Sequence, residues 1–280
     1  ADADYVAGEV RDAVRVLAGR ADDADLEPSP KGLVDLEARI AVVVAGDVTE
    51  DIPAEYKEII LAQDLEIKGE GTVTLNNGGY KALVFAGADV KVSGVELVAP
   101  RTQVFFGISA TADEAAVTTN VKVAADALVS AYVIKIAEGS TVNVLEGGKF
   151  FTTGEVMRVE GTLNASGNAE FDAASETLTA DDRQTVAHYS WIYGTENLKD
   201  NYNTIYSQLR LIGADSELNL DNARLEVGKK VDGEWLGNPA ANAVGWIKLD
   251  GAMTLDNSSV LLASGATGGY GLTLNNGAEF

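Results

Sequence analysis

The sequence predicts an all-β protein built as a solenoid of short strands, and three observations carry that prediction. First, an apolar-x-apolar strand followed by a small or polar turn recurs along most of the chain. It appears at Val73 (TVTLNNGG), Val90 (DVKVSGVEL), Val121 (NVKVAADALV), Val142 (TVNVLEGGKF), Leu163 (TLNASGNAEF), Leu218 (ELNLDNARLEV), Met253 (AMTLDNSSVLL) and Leu272 (GLTLNNGAEF). Second, the intervals between these residues are 17, 31, 21, 21, 55, 35 and 19, so several cluster near 20 and the long ones leave room for loops or unmarked coils. A period of that size, made of β segments too small to bury a core alone, marks stacked repeats. Third, hydrophobic residues make up 46% of the chain but aromatics only 7%, with 29 Gly and five Pro. A core of small and branched side chains with many tight turns suits layered β architecture.

Taken in order, residues 4–19 read as an amphipathic helix. Val6, Val10, Val14 and Leu17 share one face, Arg11 and Arg15 lie off it, and Gly19 is placed to end it. The acidic, Pro-containing ADDADLEPSP, 21–30, is a linker, so residues 1–30 form a cap and linker ahead of a β region spanning 31–280. ARIAVVVAGDVTEDIP then supplies a buried strand and a turn, and EIILAQDLEIKGEGTVTL a strand, a turn and a strand. Within each later repeat, alternation sends Val, Leu or Ile inward, and turn residues adopt the positive φ that corners need. Asn-Asn-Gly, Asp-Asn-Ala and Asp-Asn-Ser recur just after the strand, where stacked amides form Asn ladders. A β-sandwich also has short strands with frequent turns. Recurrence of one phrase in one register argues against it.

IAVVVAGDVTEDIP…DLEIKGEGTVTL resembles the entry coils of right-handed parallel β-helix proteins of the pectin-lyase-like superfamily. The later coils, with phrases such as LTLNNGA, resemble passenger segments of bacterial surface adhesins and autotransporters. The likeness covers roughly residues 39 to 280. It implies a right-handed parallel β-helix with the helix at 4–19 capping the first coil. It implies little about activity, because this fold hosts lyases, hydrolases, tailspikes, adhesins and inert spacers.

Forty-three Asp and Glu against 21 Lys and Arg give a formal charge of −22. Such a field repels phosphate backbones and anionic lipid, which excludes nucleic acid and direct membrane insertion as expected partners. Attraction of calcium and solubility in a saline habitat both fit it. There is no cysteine, hence no disulfide or thiolate metal site. The first residue is Ala1, and no apolar run approaches the ~18 residues of a membrane span. An extracellular or cell-surface location, reached through a signal peptide removed before Ala1, is the expectation, although an excised piece reads the same way.

Catalytic signals are sparse. A polygalacturonase-like site would carry an Asp pair, a Gly-His-Gly and an Arg-Ile-Lys. Here Asp181 and Asp182 pair in TADDRQTVAHY and His188 follows, but Gly-His-Gly is missing and Trp246 of WIKLD stands where the Arg would be. If the protein is an enzyme, Asp181, Asp182 and Arg183 are the first candidates; the expectation is that it is not. His188 is the only histidine and has aromatic neighbours, which reads as packing. No phosphate loop or EF-hand is present, and no cofactor is expected beyond calcium at stacked turns around Asp221 or Asp256.

An interruption at about 171–208 holds six of the 19 Trp, Tyr and Phe residues: Phe171, Tyr189, Trp191, Tyr193, Tyr202 and Tyr206. Read as an insertion projecting from the solenoid, it offers Tyr189, Trp191, Tyr193, Tyr202 and Tyr206 as ligand-binding candidates for sugar rings or a protein surface. Read as packing, it buries those rings on a flank. Residues 265–280 contain no polar cover, so the expectation is that either more chain follows or a further copy covers this end by strand addition, the latter with Leu272, Leu274, Asn275, Asn276 and Phe280 as the assembly edge. The expected function is therefore non-enzymatic: a secreted, acidic structural or adhesive β-solenoid, either an adhesin stalk or a self-assembling filament or layer subunit. The alternative is a carbohydrate-binding or polysaccharide-degrading β-helix that uses 171–208. Expected partners are further copies, head to tail, and a glycan or host-surface protein.

Overall fold

The computed structural model describes residues 32–34, 40–52, 58–61, 64–77, 82–87, 89–124, 126–167, 183–228, 245–262, 271–275 and 278–279. Among them there is no helix, and the strands form a nine-stranded and a fifteen-stranded sheet. The helix and linker expected within 1–30 lie outside the described residues.

Period-2 alternation sets the faces. In Thr141–Val144, Val142 and Val144 are buried while Thr141 and Asn143 face outward, and Val121, Val123, Leu163 and Ala165 repeat the pattern on the adjacent strands. Parallel pairing stacks like on like. One register column of the nine-stranded sheet runs Ile40, Leu65, Val90, Val121, Val142, Leu163, Glu196, Leu218 and Met253. Six of the eight residues aligned by the repeat share that column. The 55-residue gap after Leu163 contains Thr195–Lys199, a strand whose inward position is filled by Glu196 and is therefore silent to an apolar template.

Val73 and Leu272 belong to the other sheet. Val73 pairs with Val48 and Leu97, and Leu272 with Ile247. LTLNNGA resembles MTLDNSS in letters, but its register partner is the preceding IKLDGA: Leu274 lies on Leu249, and the Asn275 side-chain amide meets the Asp250 carboxylate.

Long strands of the fifteen-stranded sheet, such as Leu128–Ile136, Arg183–Ile192 and Tyr202–Leu211, shift register midway and so serve two successive ladders. The chain visits the nine-stranded sheet, the first ladder and the second ladder in turn. One cycle is Thr141–Val144, Lys149–Thr152 and Val156–Val159, and Thr162–Ser166 opens the next. This progression is compatible with a solenoid. Among the described residues a large core of Val, Leu, Ile and a few Phe runs through it, with a smaller separate cluster at Ile60, Val84 and Ala86, each fully buried large side chain worth about 1.5–3 kcal/mol against exposure.

Two amide ladders join neighbouring strands and the turns that follow them. On the outer face of the nine-stranded sheet, Asn164 donates to Asn143 (3.0 Å), Asn197 to Asn164 (2.8 Å) and Asn219 to Asn197 (3.0 Å). At the corner after the strand, Asn222 donates to Asp200 (2.8 Å) and Asn257 to Asn222 (2.9 Å), with φ of 49°, 48° and 44° at Asp200, Asn222 and Asn257. The recurring Asp-Asn phrases thus form the expected corner ladder, since a short polar side chain tolerates the left-handed region.

Inside, one patch is polar. Thr185 and Asn203 occupy an inward column that otherwise reads Val73, Leu97, Val129, Phe150 and Leu225. Both Thr185 N–H and Oγ1–H reach Asn203 Oδ1 (3.2 and 2.8 Å); Asn203 donates to Asn201 (2.7 Å), Asn201 to Gln184 Oε1 (2.8 Å), and Gln184 to the carbonyls of Leu145 and Ser166 (2.9 and 2.7 Å). Each buried amide is satisfied, which is the condition for tolerating it in a core.

Candidate functional site

The segment marked by sequence as an aromatic insertion is placed in two parts. Residues 171–182, including Phe171, Asp181 and Asp182, lie outside the described residues. Residues 183–208 run as Arg183–Ile192, Thr195–Lys199 and the start of Tyr202–Leu211 within the sheets.

The five candidate aromatics separate accordingly. Tyr202 and Tyr206 are buried, each 1% exposed. Tyr202 lies between two guanidinium groups, Arg183 at 5.5 Å and Arg224 at 5.8 Å from its ring centroid, and its hydroxyl donates to Glu226. Arg224 in turn pairs with Glu226 at 2.7 Å. Arg183 is thus a packing residue, cation on ring, rather than a group facing solvent. Tyr189, Trp191 and Tyr193 are half-buried and lie on the outer side of the second ladder.

There they meet residues that the sequence reading did not single out. The outward register column is Phe105, Lys135, Arg158, Trp191, Arg210, Lys248 and Thr273. Beside it runs Val156, Tyr189, Gln208 and Trp246. Arg210 lies over both neighbouring indoles, 5.9 Å from the Trp191 centroid and 5.7 Å from that of Trp246, and Arg158 lies 4.7 Å from that of Tyr193. A signal for these cations was present in the chain: IKI at 134–136, MRV at 157–159, LRL at 209–211 and IKL at 247–249 are the same apolar-cation-apolar triplet, and SWI at 190–192 replaces the cation by Trp.

Two carboxylates flank the column. Glu160 binds Lys135 (3.0 Å) and Arg158 (2.6 Å) and accepts a hydrogen bond from Ser109. Burial alone would raise its carboxyl. The hydrogen bonds from Ser109 and Lys135, with the charges of Lys135 and Arg158, outweigh that and hold it below the usual carboxylate range, so it stays anionic. Asp250 stands 3.9 Å from Lys248. Arg210 has no ion pair among the described residues, and neither its Nε–H nor the Trp191 indole N–H has a hydrogen-bond acceptor.

The remaining candidates fall elsewhere. Asp221 and Asp256 are register neighbours on the nine-stranded sheet, and Asp221 holds Lys199 at 2.6 Å. Among the described residues no group of three or more His, Asp or Glu side chains is arranged to hold a metal. Leu272 and Leu274 continue inward columns but stand 49% and 50% exposed at the outermost described strand of their ladder. Asn276 and Phe280 lie outside the described residues. His188 packs edge-on against Tyr189, with centroids 4.3 Å apart.

Comparison with protein-family models, with curated proteins and with solved structures finds no match to this chain.

Proposed function

We propose that this protein is a right-handed parallel β-helix acting as a stiff extracellular scaffold, of the kind that carries an adhesive surface or builds a filament or layer. The observation that carries this reading is the shared register of nine neighbouring parallel strands, stitched outside by amide ladders and inside by a large apolar core. Such a body resists bending because each inner strand of the nine-stranded sheet is paired in parallel with a strand on either side. Right-handedness follows from the strong chirality preference of parallel crossover connections. The acidic composition keeps such a rod soluble and away from other anionic surfaces.

Growth of the scaffold would use the strand Leu272–Leu274. Its inward leucines are half exposed, and a further strand stacked on it would bury them. Light scattering and electron microscopy of the purified chain test this. Elongated assemblies that vanish in Leu272→Lys/Leu274→Lys are expected, and particles that stay monodisperse across salt and calcium concentrations would remove assembly from the reading. Cleavage of uronate-containing polysaccharide in a reducing-end or unsaturation assay would overturn the non-enzymatic role.

A second reading, carbohydrate binding, is favoured by Tyr189, Trp191 and Tyr193 standing half-buried on the outer side beside Arg158 and Arg210.

A further inference from the structure

We propose that the outer face of the second ladder, centred on Arg210, is a binding site for an anionic polysaccharide. The inference rests on the carbohydrate-binding reading of this face and narrows it to acidic polymers; it does not depend on whether the protein assembles.

The charge argument comes first. In a chain of formal charge −22, this strip brings four cations, Lys135, Arg158, Arg210 and Lys248, against two nearby carboxylates, Glu160 and Asp250. Glu160 already occupies Lys135 and Arg158. Among the described residues Arg210 is left with no carboxylate, and Lys248 with one at the 3.9 Å limit. The uncompensated charge is therefore concentrated at the Arg210–Lys248 end, on adjacent strands about 4.8 Å apart.

Geometry supplies the second part. Arg210 is held between the rings of Trp191 and Trp246, so its guanidinium has little freedom to lose when it takes a planar anion such as a carboxylate or sulfate. The two indoles, partly exposed, offer apolar surface of sugar-ring size on either side of the cation. A cation flanked by flat rings matches a polymer in which charged groups alternate with ring faces. Duplex DNA fits poorly, because it carries a charge roughly every 1.7 Å along its axis. Most of its phosphates would meet the acidic exterior beyond the strip.

Salt distinguishes contact pairs from the distant field. Repulsion from remote carboxylates is screened over roughly 10 Å at 0.1 M salt, whereas pairs in contact persist. Affinity is therefore expected to rise from very low salt to moderate salt and to fall again at high salt.

The test is titration calorimetry, with tryptophan fluorescence in parallel, of the full chain against heparin oligosaccharide (sulfate) and hyaluronate oligosaccharide (carboxylate). Neutral dextran, poly-glutamate and duplex DNA serve as competitors. Binding of at least one acidic glycan with a fluorescence change is expected, about tenfold or more weaker in Arg210→Gln/Lys248→Gln and unchanged in Lys199→Gln on the nine-stranded sheet. Trp246→Phe, milder for folding, is expected to weaken binding and reduce the fluorescence response. Circular dichroism checks that each variant is folded. The proposal is overturned if neither glycan binds at millimolar concentration, if dextran, poly-glutamate or DNA binds as tightly, or if Arg210→Gln/Lys248→Gln and Trp246→Phe both bind like wild type. Assembly, read separately by light scattering, is unaffected by any of these outcomes.

Discussion

Glu196 faces inward between Leu163 and Leu218 and is 4% exposed. Its nearest hydrogen-bond donor, Ser190 Oγ–H, lies at 3.5 Å, the outer limit of such a contact. Burial pushes its carboxyl up to about 7, and the Ser190 hydrogen bond offsets only part of this. The native state therefore holds this proton over a range in which the unfolded chain, with its ordinary carboxylate, has released it. Stability from this group is intact below about pH 4.5, falls as pH rises, and is lost by roughly 3 kcal/mol once pH passes about 7. Glu196→Gln is expected to stabilise the protein at pH 8 and to matter little at pH 4.5. Denaturant midpoints of the two proteins at both pH values measure this, and a pH-independent gap would contradict it. Asn222 is a second telling residue, because it combines a left-handed backbone with a donated and an accepted side-chain bond. Asn222→Ala should destabilise by about 2 kcal/mol, from two lost hydrogen bonds and the strained φ. Asn222→Gly, which relieves the φ, should cost less.

Among the elements, the connection from the second ladder into the nine-stranded sheet leaves no room for a side chain at Gly194. Gly194 stacks so closely on the turn beneath it that an added Cβ would lie 2.2 Å from the Gly161 carbonyl oxygen and 2.5 Å from that of Glu160. Both obstacles are backbone, and the Gly161 carbonyl also accepts from the Thr195 N–H (2.9 Å), so neither can yield like a side chain. Gly194→Ala is expected to destabilise by ~2 kcal/mol or more through displacement of Thr195–Lys199. Its urea midpoint should fall below that of Leu255→Ala, where the leucine is only partly buried; equal midpoints would mean that the turn adapts. The same strand carries Asn197, the central bond of the outer Asn ladder. Loss of this element interrupts core and ladder together.

For the whole molecule, the absence of cysteine makes the register directly testable. Thr141 and Thr162 are register partners on neighbouring parallel strands, and Thr195 is the partner of Thr162 one strand further on. Thr141→Cys/Thr162→Cys should form a disulfide under mild oxidation, the spacing of about 4.8 Å falling within the bonding range. Thr141→Cys/Thr195→Cys, twice as far apart, should not. The reverse result would replace the stacking order. The net charge of −22 also predicts self-repulsion in the folded state, so the melting temperature should rise when salt is added.

Alternation and the Asp-Asn corner phrases determined, from sequence alone, that Val90, Val121, Val142, Leu163, Leu218 and Met253 are equivalent positions, because period 2 and a positive-φ corner are local demands. Tertiary structure decided what lies between them. It placed Glu196 in a core column that an apolar template skips, and set Leu272 on Ile247 instead of Met253, because register depends on the whole strand path and not on one phrase. It also divided the aromatics that the sequence grouped: Tyr202 and Tyr206 are buried, whereas Trp191 joins Arg210 and Trp246 on an outward face. Those three residues are separated by up to 55 positions in the chain. Only parallel stacking, which brings distant coils to adjacent strands, makes them one surface.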